Sequence, residues 1–388
     1  MHIQNFVFNT TPSLVFEFAA ARRLGAIAGK RLGSSVLFVT DPGLRKLGLC
    51  DAACDSLRAE GITITIFDGV EADPSLATLM SAVAAGRSAA ITGVVGFGGG
   101  SSLDVAKLAA LLIGSNEDLE SAWGVGSAEG PRLPLVLVPT TAGTGSEVTP
   151  VSIITVGEEE KRGVSSPVIL PDIAVLDAEL TLGLPPSITA ATGVDAMVHA
   201  IEAYASKSAN NNPLSKMLAR QALQLIGANI EKAVADGSDV EARGAMLLGS
   251  MLAGQAFANS PVAAVHALAY PIGGTFHVPH GLSNALVLPH VLRFNAPEAA
   301  HLYAEIAADA FPHLEREEGA QGRCAAFIEE LAALSRTLGL STRLRDVGIG
   351  EADLPKMAAD AMKQQRLLVN NPRSVTEADA LAIYRAAW

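Results

Sequence analysis

The first half of the chain alternates short, β-branched apolar runs with segments of helical periodicity. The apolar runs predict four buried strands, which are Ser35–Thr40, Ile62–Phe67, Ile91–Phe97 and Leu133–Val138. Leu76–Ala85 and Leu103–Leu112, which lie between them, have the pattern of helices. Strands separated by helices form parallel βαβ units, so we expect an α/β domain with helices on both faces of a sheet.

The second half has a different pattern, because β-branched runs nearly vanish after Pro185-Pro186. Long Ala/Leu patterns predict helices at Gly193–Ser206, Leu214–Asp236, Val240–Ala258, Pro297–Ala310, Arg323–Leu338 and Glu377–Ala387. We therefore expect an α/β domain over residues 1–182 and an all-helical domain over residues 183–388. The cleft between two such domains is the expected ligand site.

Composition narrows the class of protein. Hydrophobic residues make up 49% of the 388 residues and charged residues 18%, which favours a large core over disorder. The net charge is −12, and no Lys/Arg run stands out, which argues against nucleic-acid and membrane-surface partners. No apolar run reaches the ~20 residues of a membrane span, and Met1–Phe18 lacks the pattern of a signal peptide.

The chain has three cysteines, Cys50, Cys54 and Cys324. This low, odd number argues against a disulfide framework and favours the reducing cytosol, so we expect a cytoplasmic protein. We expect the cysteines to be small core residues rather than metal ligands.

A glycine-rich loop, Phe97–Ser101, follows the third predicted strand and precedes a helix expected to begin near Leu103. The unpaired N–H groups of such a helix terminus suit a phosphate, although Ser101 stands where the usual motif has its last glycine; a plain tight turn is the alternative. Asp104 is a further candidate cofactor contact. The alternative is that Asp104 and Lys107 form an exposed charge pair.

Two other segments also suit a nucleotide. Pro139–Glu147 is rich in glycine and hydroxyl groups and follows the fourth predicted strand, where ligands of parallel sheets bind; a Ser/Thr-rich connecting loop is the alternative. Asp41 ends the first predicted strand, where an acid can bind ribose hydroxyls and repel a 2′-phosphate. Because Pro42-Gly43 follows, a turn-forming role for Asp41 is equally compatible with the sequence.

Histidines and one aspartate suggest a metal site. Asp195 and His199 are four residues apart in a helical segment, so both project from one face, ~6 Å apart along the helix axis. His266 lies in an Ala-rich helical run, and His280 follows an expected break at Gly273-Gly274. Three imidazoles and a carboxylate suit Fe²⁺ or Zn²⁺, while satisfied core histidines are the alternative.

Several longer motifs identify a family resemblance. The chain resembles the iron-containing (group III) alcohol dehydrogenases over almost its whole length. The motifs that carry the resemblance are GGGSSLDVAK (98–107), PTTAGTGSEVT (139–149), LPDIAVLDAELTLGLPP (170–186), ATGVDAMVHAIEAYAS (191–206), the stretch 266–295 and NNPRSVTEADALAIYRAAW (370–388).

The resemblance implies a dehydroquinate synthase-like fold, with an α/β nucleotide-binding domain before a helical domain. It implies a metal ion held by Asp195, His199, His266 and His280. It also implies that NAD contacts Asp41, Gly99, Gly100, Ser101, Thr140, Thr141, Thr144 and Lys161. The implied activity is hydride transfer between NAD and a small alcohol, giving its aldehyde or ketone.

One position departs from the family pattern. Many similar enzymes have a histidine four residues after the third ligand, where this chain has Tyr270. Tyrosine is a poorer base at neutral pH, so Tyr270 and His277 are both candidates for proton transfer, and simple packing is an alternative for Tyr270. With Phe257 and Phe276, Tyr270 is expected to line an apolar substrate pocket. The apolar Asn5–Phe18 segment is expected to join a partner's sheet in a homodimer or larger oligomer.

Other activities remain open on the same fold. The alternatives are a maleylacetate reductase-like oxo-acid reductase, a glycerol dehydrogenase-like enzyme and a lyase of the dehydroquinate synthase type. The complete Asp/His set argues against the first and against a non-catalytic nucleotide-binding protein. The lyase would need a basic pocket, and the segments expected to form the cleft carry few lysines or arginines beyond Lys161 and Arg162.

Overall fold

The computed structural model describes residues 5–157 and 160–388. Its strands are β1 (Ser13–Phe16), β2 (Ser35–Val39), β3 (Thr63–Phe67), β4 (Gly93–Gly98), β5 (Gly124–Val125), β6 (Leu135–Pro139), β7 (Val151–Val156), β8 (Glu160–Ser165) and β9 (Ile173–Leu176). The helices before residue 183 are α1 (Leu24–Leu32), α2 (Pro42–Lys46), α3 (Asp51–Ala59), α4 (Leu76–Ser88), α5 (Gly100–Ser115) and α6 (Leu119–Ala122). The predicted alternation of strands and helices in the first half is confirmed.

The main sheet has the strand order β1-β9-β6-β4-β2-β3, and all its paired strands are parallel. Alternate side chains of β2 pack into two separate hydrophobic cores, one on each face of the sheet. Val36 and Phe38 pack with α1 and α3 on one face, whereas Leu37 and Val39 pack with α4 and α5 on the other. This alternation follows from the two-residue period of a strand and gives the sheet helices on both faces.

The edge strand β1 and its neighbour β9 were not predicted. Each has only four residues, a run too short to indicate a strand by itself, and β1 is also largely exposed. The expectation that Asn5–Phe18 joins a partner's sheet stays a prediction; Ser13–Phe16 pairs with β9 of the same chain and forms the edge of the main sheet. A second, smaller sheet, in the order β5-β8-β7, was also missed.

Helices alone form the regular structure that follows residue 183, apart from short 3₁₀ turns. They are α7 (Pro186–Ala205), α8 (Pro213–Ala235), α9 (Val240–Asn259), α10 (Ala264–Phe276), α11 (His280–Ala310), α12 (Gly319–Thr337), α13 (Leu354–Ala361), α14 (Gln365–Leu368) and α15 (Glu377–Ala387). The fold class, an α/β region followed by a helical region, is therefore confirmed. None of the helices described is long and apolar enough to span a bilayer.

Side-chain caps fix several helix starts. Asn212 accepts the N–H of Ser215 at the start of α8, and Asp239 accepts the N–H of Ala242 at the start of α9. Thr376 and Asp379 form a reciprocal capping box at α15. These contacts satisfy N–H groups that have no partner within the helix, and the residue types are those preferred at this position.

Two expected boundaries were wrong. Gly273-Gly274 does not interrupt the helix. α10 continues to Phe276 and ends where His277 adopts a left-handed conformation (φ 55°). The helix predicted from Pro297 is the second half of α11, which begins at His280 and contains Pro289 and Pro297. Proline therefore marks positions inside α11 rather than its start.

The chain forms two compact units. The α/β unit contains residues 9–141 and 145–182, and the helical unit contains residues 5–8, 142–144 and 183–388. The short segment 142–144 belongs to the helical unit although it lies within the glycine/hydroxyl loop. Its Gly143 carbonyl contacts the ring of His199, which belongs to the same unit.

Candidate active site

Three helices bring the predicted metal ligands together. Asp195 and His199 lie one turn apart on α7, His266 lies near the start of α10, and His280 is the first residue of α11. One possible ligand atom from each residue lies within 4.8 Å of all the others. Asp195, His199 and His266 are buried, while the side chain of His280 is 40% exposed. We call these four residues the ligand cluster.

The distances in the ligand cluster suit a small cation. Oδ1 of Asp195 lies 4.0 Å from Nε2 of His199, 3.9 Å from Nε2 of His266 and 3.8 Å from Nε2 of His280. Ligands about 2 Å from a common tetrahedral ion are separated from one another by roughly 3–4 Å. Three imidazole nitrogens and one carboxylate oxygen are ligands that Fe²⁺ and Zn²⁺ accept. The residues present therefore fit a transition-metal ion.

Each buried histidine has a partner on its other ring nitrogen. Nδ1 of His199 lies 3.2 Å from the carbonyl oxygen of Gly143, and Nδ1 of His266 lies 2.6 Å from Oε2 of Glu202. Such partners fix the tautomer and direct the opposite nitrogen toward a metal. Glu202 was not predicted from the sequence, although it lies about one helical turn after His199 in a buried segment.

Asn284 was also missed. It lies one turn after His280 on α11 and is fully buried. Its Nδ2 donates to Oδ1 of Asp195 at 2.6 Å and lies 3.4 Å and 3.3 Å from Nε2 of His266 and His280. Its own Oδ1 is buried without a hydrogen-bond partner. Through Nδ2, Asn284 holds the carboxylate of Asp195 in place beside the two histidines.

Two glycines permit the close packing around the ligand cluster. A Cβ on Gly143 would lie 2.6 Å from Cβ of Thr192 on α7, and a Cβ on Gly281 would lie 2.3 Å from the carbonyl oxygen of Ala191. Both distances are far below van der Waals contact. Gly143 thus allows its carbonyl to reach His199, and Gly281 allows the start of α11 to lie against α7.

The buried setting also controls protonation. Burial lowers the pKa of His199 to about 3, so its ring is neutral at physiological pH and keeps a lone pair for a ligand. Burial acts to raise the pKa of Asp195, but the imidazoles of His199, His280 and His266 outweigh it and hold that pKa below its ordinary value. A neutral imidazole beside an ionised carboxylate is the protonation state that metal binding requires.

Aromatic side chains flank the ligand cluster. The ring of Phe257 stacks on His199 with the centroids 4.3 Å apart, and the ring of Tyr270 lies 6.3 Å from that of His280. The Tyr270 hydroxyl accepts a hydrogen bond of 3.1 Å from Arg366. His277 is exposed at the end of α10, and Phe276 is half-buried in the last turn of that helix.

The α/β unit has its own candidate site where β2 and β4 lie side by side. The helix α3, which follows β2, packs on one face of the sheet, and α5, which follows β4, packs on the other. Neighbouring strands whose helices leave in opposite directions open a crevice at their carboxyl ends, where nucleotides bind. Asp41 follows β2, and Gly99 follows β4 at this edge.

The groups at this edge suit an anion and a ribose. Helix α5 begins at Gly100, three residues before the predicted start, and its N-cap residue Gly99 supplies no side-chain cap. The N–H groups of this first turn, including Ser101, are the type of donors that bind phosphate. Oδ1 of Asp41 accepts the N–H of Leu44 at 2.9 Å, so Asp41 has the predicted turn-forming role as the N-cap of α2.

The remaining predicted cofactor residues occupy different settings. Thr140 is buried, and its N–H donates to Gly98 at 3.0 Å; Thr141 is half-buried beside it. Thr144 belongs to the helical unit with Gly143. Lys161 lies on β8, where its ammonium group pairs with Asp73.

The expectation that Asp104 and Lys107 form an exposed charge pair was wrong. The Lys107 side chain is fully buried, and its Nζ donates to Ser146 Oγ at 2.7 Å, Thr149 Oγ1 at 3.2 Å and the Val151 carbonyl at 2.7 Å. Asp104 lies 3.7 Å from Nζ and accepts from Ser146 Oγ at 2.6 Å and from the N–H of Ile153 at 2.9 Å. The apolar residues around this pair in α5 were the missed signal.

Glu147 completes this group, which we call the lysine network (Asp104, Lys107, Ser146, Thr149 and Glu147). Burial raises the pKa of Glu147 to about 7, and burial lowers the pKa of Lys107 to about 8. Oε1 of Glu147 has no hydrogen-bond partner. The lysine network connects α5 to the glycine/hydroxyl loop, so it holds two predicted cofactor segments in a fixed arrangement.

Comparison with known families identifies the chain. Residues 11–178 match the model of the iron-containing alcohol dehydrogenase domain, and residues 189–388 match the C-terminal domain of the Fe-containing alcohol dehydrogenase family. The chain belongs to the iron-containing alcohol dehydrogenase family. The family resemblance predicted from its motifs is therefore confirmed, and so is the prediction that the protein is an enzyme.

Similar proteins cover nearly the whole chain. Long-chain-alcohol dehydrogenase 1 of Geobacillus thermodenitrificans (strain NG80-2) is 44% identical over 92% of this chain and 91% of its own length. The crystal structure of a 1,3-propanediol oxidoreductase is 36% identical, with a TM-score of 0.95 over 99% of this chain and 100% of its own. A sulfoacetaldehyde reductase from Bifidobacterium kashiwanohense, solved in complex with NAD⁺, is 27% identical, with a TM-score of 0.86 over 99% and 98% of the two chains.

Proposed function

We propose that this iron-containing alcohol dehydrogenase interconverts an alcohol and its aldehyde or ketone by hydride transfer, using NAD and a divalent metal ion. The observation that carries the proposal is the convergence of Asp195, His199, His266 and His280, from three helices, on one small volume. A buried histidine with only a structural role is satisfied by a single polar partner. Three Nε2 atoms around one carboxylate oxygen are instead the arrangement expected of metal ligands.

The metal is Fe²⁺ or Zn²⁺ in this proposal. Bound there, the cation supplies Lewis-acid chemistry that polarises an alcohol or carbonyl oxygen. The chain's own residues prepare the site: Asp195 provides the negative charge, and the buried histidines provide neutral ligands. The partial exposure of His280 gives a substrate access to this side of the ligand cluster.

NAD is the proposed cofactor, and it carries the hydride. The crevice beside Asp41 and the first turn of α5 supports this choice, as does the NAD⁺ complex of the similar sulfoacetaldehyde reductase. In this proposal the pyrophosphate binds Gly99, Gly100 and Ser101, and the ribose binds Asp41. Contacts to Thr140, Thr141, Thr144 and Lys161 complete the set that the family resemblance implies.

We assign Asp104 a positioning role instead of a direct cofactor contact. Its two carboxylate oxygens already accept from Ser146 and Ile153, and it lies beside Lys107. The carboxylate therefore holds the glycine/hydroxyl loop against α5. The cofactor depends on Asp104 through the position of that loop.

Tyr270 is our choice for the group that passes a proton to solvent. Its ring lies near His280, the exposed member of the ligand cluster, and its hydroxyl contacts Arg366. A phenolic hydroxyl can both accept and donate a hydrogen bond, so Tyr270 can pass a proton along such a chain of contacts. His277, exposed at the end of α10, is the second choice.

The substrate is proposed as a class rather than one compound. The three similar proteins named above act, by their names, on long-chain alcohols, 1,3-propanediol and sulfoacetaldehyde. The stacking of Phe257 on His199 places an apolar surface against the ligand cluster, which favours a small uncharged alcohol. We further propose a cytoplasmic homodimer, a location supported by three free, buried cysteines.

The deciding experiment measures NADH formation with a panel of alcohols on protein loaded with either Fe²⁺ or Zn²⁺. We expect turnover that requires the metal and that disappears, together with bound metal, in His280→Ala. Turnover by metal-free protein, or by a metal-free His280→Ala variant, would refute the role of the metal.

The cofactor choice has a separate test in Asp41→Asn. Asparagine caps a helix as well as aspartate does, so this variant keeps the contact to Leu44 and removes only the charge that repels a 2′-phosphate. We expect kcat/KM for NADP to rise relative to that for NAD, with no change in thermal stability. An unchanged NADP/NAD ratio would remove Asp41 from the cofactor site.

A further inference from the structure

Glu202 is buried beside the ligand cluster, and both of its carboxylate oxygens are occupied. It is 5% exposed and lies on α7, three residues after His199. Oε2 accepts from Nδ1 of His266 at 2.6 Å, and Oε1 accepts from the backbone N–H of Val265 at 2.7 Å. Glu202 therefore ties α7 to the first turn of α10, at the residue that offers a third ligand.

This contact selects one tautomer of His266. An ionised carboxylate can only accept hydrogen bonds, so Nδ1 of His266 must carry the proton. Nε2 then keeps its lone pair, and Nε2 is the atom that faces Asp195 at 3.9 Å. With the opposite tautomer, His266 would direct an N–H toward the other ligands and would be unable to bind a cation.

Charge gives Glu202 a second role. Asp195 and Glu202 are both buried, and in the described part of the chain the ion-pair partner of Glu202 is His266 rather than a lysine or arginine. Imidazoles that bind a metal do so as neutral ligands, so the negative charge that faces a bound cation comes from these two carboxylates. Buried charges are costly unless they are paired, and one divalent cation balances these two.

We propose that Glu202 is a positioning residue for the metal: it holds His266 in the ligand tautomer and supplies the second negative charge that matches a divalent cation. This inference rests on the proposed cation site. Glu202 contributes no ligand itself and acts through His266. Hydrogen-bonded carboxylates behind metal-bound histidines typically change metal affinity by about 10–100-fold.

The test is Glu202→Gln, with Glu305→Gln as its matched control. The control makes the same chemical change at a carboxylate that accepts from Tyr204, two residues beyond Glu202 on α7. Glutamine at 202 loses the charge, and its NH₂ group replaces one of the two oxygens that now accept from His266 and Val265. We expect Co²⁺ affinity, measured by competition with a chelator, to fall about 10–100-fold in Glu202→Gln and to stay within twofold of wild type in Glu305→Gln.

The visible absorption of the Co²⁺-loaded protein gives a readout that a purely structural role would not move. We expect the cobalt bands to shift in Glu202→Gln and to match wild type in Glu305→Gln. If circular dichroism shows that Glu202→Gln is unfolded, Glu202→Asp replaces it; that variant keeps the charge but shortens the reach to His266, so its affinity should be intermediate.

The outcomes separate the inference from the proposed function. Wild-type Co²⁺ affinity and an unchanged spectrum in Glu202→Gln, or in Glu202→Asp where that variant is used, would overturn the role of Glu202 and leave the proposed metal site intact. Failure of the wild-type protein to bind any divalent cation would overturn both. Weakened binding with shifted bands in the Glu202 variant alone would support the inference.

Discussion

The two units of the enzyme bury ionisable groups in opposite ways. In the α/β unit, the lysine network contains its own cation, and Lys107 is surrounded by hydroxyl, carbonyl and carboxylate oxygens. In the helical unit, the ligand cluster and Glu202 combine two carboxylates with three imidazoles and have no lysine or arginine in their described ion pairs. The lysine network thus has a cation supplied by the chain, although Oε1 of Glu147 stays unpaired, whereas the ligand cluster and Glu202 have no such cation in their described ion pairs.

This difference distinguishes a positioning network from a binding site. Buried polar groups in proteins are generally paired, so the groups that stay unpaired indicate what is missing. Asn284 beside the ligand cluster and Glu147 in the lysine network each keep one unpaired buried oxygen, so the contrast between the two regions lies in the presence of a cation. In the lysine network, by contrast, the polar atoms of Lys107 and Asp104 are used to join segments of the chain.

The largest effect is expected for Asp195→Asn, which removes a charged ligand with little change in volume. We expect metal affinity to fall by more than about 100-fold, because losing an outer partner alone costs 10–100-fold, and we expect alcohol dehydrogenase activity to fall with it. Metal content per chain after dialysis, with NADH formation, measures both effects. His301→Ala is the control, since His301 is exposed on α11 outside the ligand cluster. Stoichiometric metal in Asp195→Asn would contradict the assignment.

Lys107→Met tests the opposite kind of site. It leaves Asp104 and Glu147 buried without their cation, and breaking a buried charge pair costs about 3–5 kcal/mol. We expect urea denaturation to show a loss of that size, with the metal content of the folded protein unchanged. The double variant Asp104→Asn/Lys107→Met should recover part of the loss, because it removes both charges. A stability close to wild type in Lys107→Met would show that the network is not self-balancing.

The sequence revealed the ligand cluster more fully than the lysine network, for a physical reason. Asp195 and His199 are separated by one helical turn, and histidines are rare enough that their spacing is informative. The polar partners of Lys107 are Ser146, Thr149 and Val151, about 40 residues away in the chain, so the apolar residues of α5 could suggest burial but could not identify what pairs with the lysine. Glu202 and Asn284 were missed for the same reason, since each acts on a residue from another helix.

The fold was predictable where its signals are local. Runs such as Ser35–Thr40 are long, apolar and β-branched, and the structure contains a strand there. β1 and β9 have four residues each and are strands because of long-range pairing, β1 with β9 and β9 also with β6. The prediction of a helix break at Gly273-Gly274 was wrong, because packing around α10 outweighs the low helix propensity of glycine.

Gly143→Ala should produce a smaller effect, confined to the helical unit. The added Cβ would lie 2.6 Å from Thr192, so the segment must shift and its carbonyl must move away from Nδ1 of His199. We expect metal affinity to fall about tenfold, as for other losses of an outer partner. Chelator competition measures this, and Gly183→Ala, where an added Cβ meets no atom within 4 Å, is the control. Equal affinities in the two variants would show that Gly143 does not position His199.

The smallest effect concerns Glu147, the member of the lysine network with a free carboxylate oxygen. Burial raises its pKa from 4.5 to about 7, so between these values the folded protein binds a proton that the unfolded chain has released. Stability is therefore lost as the pH rises from about 4.5 to 7. Glu147→Gln removes this titration, and we expect the wild-type protein to lose at least about 1 kcal/mol more than the variant over that range, because a one-unit shift corresponds to 1.36 kcal/mol. Urea denaturation at pH 5 and pH 7 measures the difference.

Lys107, with its pKa lowered to about 8, acts in the opposite direction between pH 8 and 10.5 and does so in both proteins. Parallel stability curves for the wild type and Glu147→Gln below pH 7 would mean that the carboxyl of Glu147 is solvated, and the lysine network would then be less enclosed than the ligand cluster.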